Sequence, residues 1–210
     1  MKRLFGRGVA PDARDAKFAM AGVPVSDRQY RYWSCGKVLD QGAESSCVGH
    51  AWAGWLAAAP VSVDPIAASG IYDFAKFLDE WQGENYDGTS VRAGAKVVKM
   101  AGHIESYSWC WDVKTAVNWV LERGPLVVGT DWTEGMMTPN KSGFISTDGD
   151  SVGGHAYLIY GVNVSKGFFS LRNSWGAEWG IRGNARVSIA DFEQLLLRDG
   201  ECCSAVEKKR

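Results

Sequence analysis

The sequence predicts an α+β protein of two lobes. Apolar residues recur at helical spacing up to about residue 124, and from Pro125 onward the period shortens to that of strands. Helical and β segments separated in this way along a chain imply a helical layer packed on a sheet layer. The chain has 210 residues, enough for one large domain or two small lobes sharing a core.

The elements follow in order. Residues 1 to about 25 are polar, carry Pro11 and Pro24, and read as an irregular leader. The first helix follows Cys47: Ala51, Trp52, Trp55 and Leu56 share a face, and Pro60 ends it. The second opens at Asp64-Pro65, a capping residue and a first-turn proline, and runs through Ile71, Phe74, Phe77 and Leu78 to about Trp81. The third starts near Thr89-Ser90 and stops at Gly102. The fourth starts at Asp112, carries Val113, Ala116, Val117 and Val120, and stops at Gly124. Then come a β-rich run from Pro125 to Gly129, two strands over Ala156–Val162 and Phe168–Arg172 joined by a turn, and a strand over Asn184–Ile189. A short helix over Asp191–Leu197 follows. A cleft between two such lobes is a favoured place for a ligand.

Composition narrows the function classes. The apolar share of 46% and charged share of 22% describe an ordinary globular chain. Its 23 basic and 24 acidic residues are well mixed, so there is no electrostatic footprint for nucleic acid or an anionic membrane. The basic start, Met1 to Gly8, lacks the apolar stretch of a secretory signal, and no apolar run approaches the roughly 20 residues of a membrane span. The expected location is the cytoplasm, with release by lysis or packaging in a particle left open. Five cysteines with irregular spacing make a poor disulfide framework, and the three histidines lie far apart, so no structural zinc site and no cofactor is expected. At least one cysteine is then a free thiol.

Three stretches carry chemistry. Gln41-Gly42-Ala43-Glu44-Ser45-Ser46-Cys47-Val48-Gly49-His50-Ala51 places a cysteine where a helix begins. Free N–H groups and the positive end of the helix dipole gather there, and both favour a thiolate. Read locally, Cys47 is equally a small buried residue at a helix start. Gly153-Gly154-His155 sets a histidine at the head of an apolar strand, after two glycines that permit close approach of another backbone or a ligand. A lone histidine there is ordinarily structural. Leu171-Arg172-Asn173-Ser174-Trp175-Gly176 places an amide at a strand end, where it can hold an imidazole in one tautomer; singly, Asn173 is a turn former and the tryptophans are core.

Taken together, in this order and with these residue types, the three stretches resemble the papain family of cysteine peptidases. Asn173-Ser174-Trp175-Gly176 followed by Trp179-Gly180 is close to that family's asparagine motif. Asp87 to Arg92 looks like the segment before its third helix, and Pro11-Asp12 with Arg14-Asp15 like a leader of some bacterial and viral relatives. The likeness spans about residues 9 to 200. It implies a papain-like fold with the cleft between a helical lobe (about 41–105) and an antiparallel β-barrel-like lobe (about 106–205). Residues 1–25 would be a leader and 26–210 the peptidase domain. It also implies roles: Cys47 as nucleophile, His155 as base and acid, Asn173 orienting it, Gln41 in the oxyanion hole, and Trp175 covering the His155–Asn173 contact. The partner would be a peptide or protein substrate.

The sequence departs from the family in several places. Val48 stands for the usual aromatic after the nucleophile, and His50 offers a rival base on the first turn. Glu44 replaces the cysteine of a family disulfide, which suits a reducing compartment. The spacing from Cys47 to His155 and Asn173 is shorter than the roughly 130–150 residues of papain-like enzymes, so the loops are trimmed. No inhibitory pro-segment of the usual size precedes Gln41. Two other readings stay open: a cell-wall peptide amidase, transpeptidase or transglutaminase with the same thiol chemistry, and a papain-fold structural or binding protein.

Overall fold

A computed structural model describes residues 3–10, 12–20, 22–64, 67–81 and 86–208. Its elements are β1 (Tyr30–Tyr32), α1 (Cys47–Ala57), α2 (Ala68–Leu78), α3 (Val91–Met100), β2 (Ile104–Trp109), α4 (Val113–Glu122), β3 (Leu126–Thr133), β4 (Ser151–Asn163), β5 (Phe168–Arg172), β6 (Asn184–Ser188), α5 (Ile189–Leu197) and β7 (Glu201–Glu207). The strands form one sheet in the order β2-β7-β3-β4-β5-β6, with β1 pairing the far end of β4. Every strand pair is antiparallel. The α+β expectation holds.

Local chemistry explains the helix starts. Ser90 accepts from the Ala93 N–H and caps α3, and Asp112 accepts from the Thr115 N–H and caps α4. Ser188 does the same for α5 through Asp191. Proline at positions 11 and 65 lies outside the described residues, so the expected first-turn proline of α2 is untested. α2 begins at Ala68 and ends at Leu78.

The sheet separates two cores. Successive side chains of a strand point to opposite faces. Val127, Ala156, Leu158 and Cys203 join the core of α1, α2 and α3. Their neighbours Val128, Tyr157, Ile159 and Cys202 join the core of α4 and α5. The vicinal cysteines are thus one residue for each core, both fully buried and free.

Several departures from expectation concern the sheet. β2 and β7 are strands that periodicity did not reveal; β2 contains Glu105, Ser106 and Ser108, which dilute its apolar signal, and the two pair with each other at the sheet edge. β4 starts at Ser151, so His155 sits inside the strand and not at its head, paired with Thr130 of β3. Gly153 and Gly154 belong to the same ladder, opposite Trp132 and Asp131.

Candidate active site

α1 starts at Cys47, and its N-cap Ser46 makes no capping bond from its side chain. The first-turn N–H groups therefore stay available to the sulfur. Cys47 has no exposed surface. Burial pushes its thiol up to about 11, against the N–H groups of Ala156, Gly6 and Val48, which point at the sulfur, and the charge of Arg7. Ala156 follows His155 on β4, so the strand that carries the histidine runs directly against the head of α1.

The His155 ring is fully buried. Its Nε2 lies 2.8 Å from Asn173 Oδ1, at the loop just beyond β5. An amide oxygen only accepts, so Nε2 carries the proton in this pair. Nδ1 is buried with no hydrogen-bond partner. Burial pushes the imidazole down to about 4; the Asn173 bond opposes this and the positive charge of His50 adds to it. Aromatic rings box the histidine in: Trp132 at 4.8 Å, Trp175 at 4.9 Å and Phe5 at 5.9 Å between centroids. Trp132 and Trp175 are wholly buried, which keeps water from the His155–Asn173 bond.

Gln41 is held from two sides. Ser174 Oγ donates to its Oε1 at 2.7 Å, and the Gln41 N–H donates to the Ser174 carbonyl at 2.9 Å. A hydroxyl bonds either end of an amide, but the two backbone carbonyls facing the other end only accept and so mark that end as the donor. Nε2 then donates to Glu44 O at 2.7 Å and to Leu4 O at 3.1 Å. Ser174, the residue after Asn173, thus ties the cysteine loop to the asparagine loop.

His50 lines the same cleft as Ala156, Asn173 and Ser174, but its hydrogen bonds go to its own helix start. Its Nδ1 lies 3.0 Å from the Ser46 carbonyl and 3.1 Å from Ser46 Oγ, so the ring curls back along its own helix.

Residues 3–8 lie across the site. Leu4 presents its carbonyl to Gln41 and Gly6 its N–H to the sulfur, and the Phe5 ring packs in T-shaped contacts with His155 and Trp175. The Arg7 N–H donates to the Gly154 carbonyl at 2.9 Å. Thr89 donates to Gly6 and accepts from Gly8, bracketing Arg7 between the two lobes. Arg3 binds Asp40 at 2.5 Å and the Trp175 carbonyl at 2.7 Å. The glycines of β4 make this possible: a Cβ on Gly154 would stand 2.2 Å from the Arg7 carbonyl, and one on Gly153 would stand 2.9 Å from Phe5.

Cys47, His155, Asn173 and Gln41, named from the sequence, therefore come together. Phe5, Arg7, Trp132 and Ser174 were not anticipated. Ser174 adjoins a recognised motif and could have been found there. A single arginine between two glycines in a polar stretch carries no local signal for a cleft more than 30 residues away in sequence.

Cys47 is thus buried where the head of α1 meets β4, the strand that carries His155 and, through it, the bond to Asn173. The chain belongs to the papain family of cysteine proteases, whose family model matches residues 28–202. Among solved structures it is similar to xylellain, a cysteine protease from Xylella fastidiosa, with a TM-score of 0.77 and 19% identity over 100% of this chain and 98% of that one. It is also similar to bromelain from Ananas comosus, solved with the inhibitor E64, with a TM-score of 0.68 and 15% identity over 86% of this chain and all of that one. Among curated proteins, cathepsin B-like cysteine proteinase 5 of Caenorhabditis elegans is 33% identical over 70 residues, which are 32% of this chain and 20% of the relative's length. No helix of the described residues is long and apolar enough to cross a membrane.

Proposed function

We propose that the protein is a cysteine peptidase that hydrolyses peptide bonds in peptide or protein substrates through a thioester on Cys47. The observation that carries this reading is the 2.8 Å bond from His155 Nε2 to Asn173 Oδ1, which leaves the second ring nitrogen unpartnered on the strand packed against Cys47. Proton transfer from the thiol to Nδ1 yields thiolate and imidazolium. The sulfur attacks the carbonyl carbon, and the oxyanion is held by Gln41 Nε2 and the Cys47 N–H. As the C–N bond breaks, His155 passes its proton to the leaving amine. His155 then takes a proton from water, whose oxygen attacks the thioester, and the thiol and a free carboxylic acid result.

Residues 3–8 occupy the space the substrate needs, so turnover requires their displacement. While they are seated, burial raises the thiol and lowers the imidazole, which keeps both neutral. Displacement admits solvent and substrate, and the ion pair becomes accessible.

Labelling with an iodoacetamide or epoxide probe, combined with cleavage profiling on a mixed peptide library, tests the reading. Modification at Cys47 and loss of all cleavage in Cys47→Ala are the expected results. Cleavage that persists in a folded Cys47→Ala protein would overturn it.

A further inference from the structure

We propose that Glu201 makes the pocket beside Cys47 a receptor for an arginine side chain of the substrate, a pocket that Arg7 of the chain itself fills in this structure. The inference rests on the peptidase reading and names the selectivity of the same cleft.

The pocket is built for this shape and charge. Arg7 Nε donates to Glu201 Oε2 at 3.0 Å, and its Nη2 donates to the Asp199 carbonyl. The arginine side chain has no exposed surface, and that of Glu201 is 11% exposed. Two glycines leave room for the stem. A Cβ on Gly129 would stand 3.0 Å from Arg7 Nε and 2.8 Å from Val91, and one on Gly154 would stand 3.3 Å from Arg7 Cδ. β7 brings the carboxylate to this place, because Glu201 pairs with Gly129 of β3. The pocket adjoins the reacting atoms: Gly154 precedes His155, and the charge of Arg7 is felt at Cys47.

The energetics call for a cation. Burial raises the Glu201 carboxyl above its ordinary range, and the charge and hydrogen bond of Arg7 are the main effects opposing that. Arg92 is committed elsewhere, to Asp15 and Glu80. When Arg7 leaves with its segment, a buried carboxylate loses its partner, a costly state. A substrate arginine restores it. A neutral side chain does not, and a lysine reaches Glu201 without also reaching the Asp199 carbonyl, because its ammonium lacks the guanidinium fork.

The test uses the full chain carrying Arg7→Ala, with Arg7→Gln as a second variant should the first fail to fold. N-acetyl-arginine amide is titrated against N-acetyl-citrulline amide, which has the same shape without the charge, and thermal shift and NMR chemical shifts are read. The arginine amide is expected to bind and stabilise, the citrulline amide is not, and adding Glu201→Gln should erase the difference. Equal behaviour of the two amides overturns the proposal whether or not the protein hydrolyses anything. The same variant is then profiled on the peptide library. Arginine at one fixed position near the scissile bond should be preferred over leucine by roughly 10²-fold or more in kcat/KM, as expected when a buried polar group is otherwise left unpaired. Glu201→Gln should remove that preference. Hydrolysis without it also overturns the proposal and leaves Arg7 and Glu201 as an anchor of the N-terminal segment. If the arginine amide binds through Glu201 but no peptide is cut, the pocket stands and the peptidase reading falls.

Discussion

His155 and His50 differ in what holds them. His155 is oriented by Asn173 across 2.8 Å and walled in by Trp132 and Trp175, whereas His50 spends Nδ1 on the Ser46 carbonyl. Turnover should fall on the order of 10³-fold or more for His155→Ala, the scale of losing a triad member. It should fall far less for His50→Ala, with Asn173→Ala between them. Kinetics on the three folded variants decide the ordering, and a His50 variant as inactive as the His155 variant would sink it. With Gln41 in the role proposed for it, Gln41→Ala removes one oxyanion donor and should lower kcat by about 10²–10³-fold. The other cysteines are expected to matter little to chemistry: Cys35→Ala and Cys110→Ala should keep most activity. Burial pushes the Cys35 thiol as high as that of Cys47, to about 11, so the two differ in setting and not in acidity: Cys35 lies outside any helix start, and its thiol faces the Trp33 carbonyl at 3.7 Å.

At the scale of elements, α1 is clamped on two sides by close backbone approach. A Cβ on Gly49 would stand 2.2 Å from the Ala68 carbonyl of α2, a backbone atom that cannot rotate away. A Cβ on Gly94 of α3 would stand 2.3 Å from the Trp52 ring. Gly49→Ala therefore forces α1 and α2 apart and should destabilise by roughly 1–3 kcal/mol, the usual penalty of overpacking. Urea unfolding measures it, and an unchanged or raised midpoint would count against so tight a contact. Because Cys47 heads α1, the same variant should also lower kcat more than it changes KM. Ser90→Ala tests a different feature. It removes the cap of α3 and should cost about 1 kcal/mol with kcat unaffected.

For the molecule as a whole, the covered cleft links stability to pH. His155 is held at about 4 when folded and titrates near 6.5 when unfolded, so between these values the unfolded chain binds the extra proton. Its contribution to stability is present above pH 6.5 and is lost as the pH falls toward 4. Cys47 works at the other end: held at about 11 against an ordinary 9.0, it contributes stability that is lost as pH rises through that interval. Urea midpoints measured from pH 7 to pH 4 should therefore fall more steeply for the wild-type chain than for His155→Gln. Parallel curves would mean that the imidazole is not desolvated in the folded chain.

Much of the fold was readable from short-range chemistry. The caps Ser90 and Asp112, the breaks at Gly102 and Gly124, and the apolar run of β5 are local signals, and each lies where expected. The neighbourhood of Cys47, His155, Asn173 and Gln41 was suggested by compact motifs, while the roles proposed for them rest on the resemblance. β2 and β7 were not, since the exposed Glu105 and Ser106 interrupt the apolar alternation of β2, and Glu201 looks like a surface residue until the partner strand is known. The same blindness hid the pairing of β4 through Gly153 and Gly154, the seat of residues 3–8 in the cleft, and the meeting of Arg7 with Glu201. Helix phase and capping depend on neighbours a few residues away, so composition along the chain suffices to determine them. Strand pairing, and the burial of a charge against a partner from the opposite end of the chain, depend on contacts that exist only once both cores have closed.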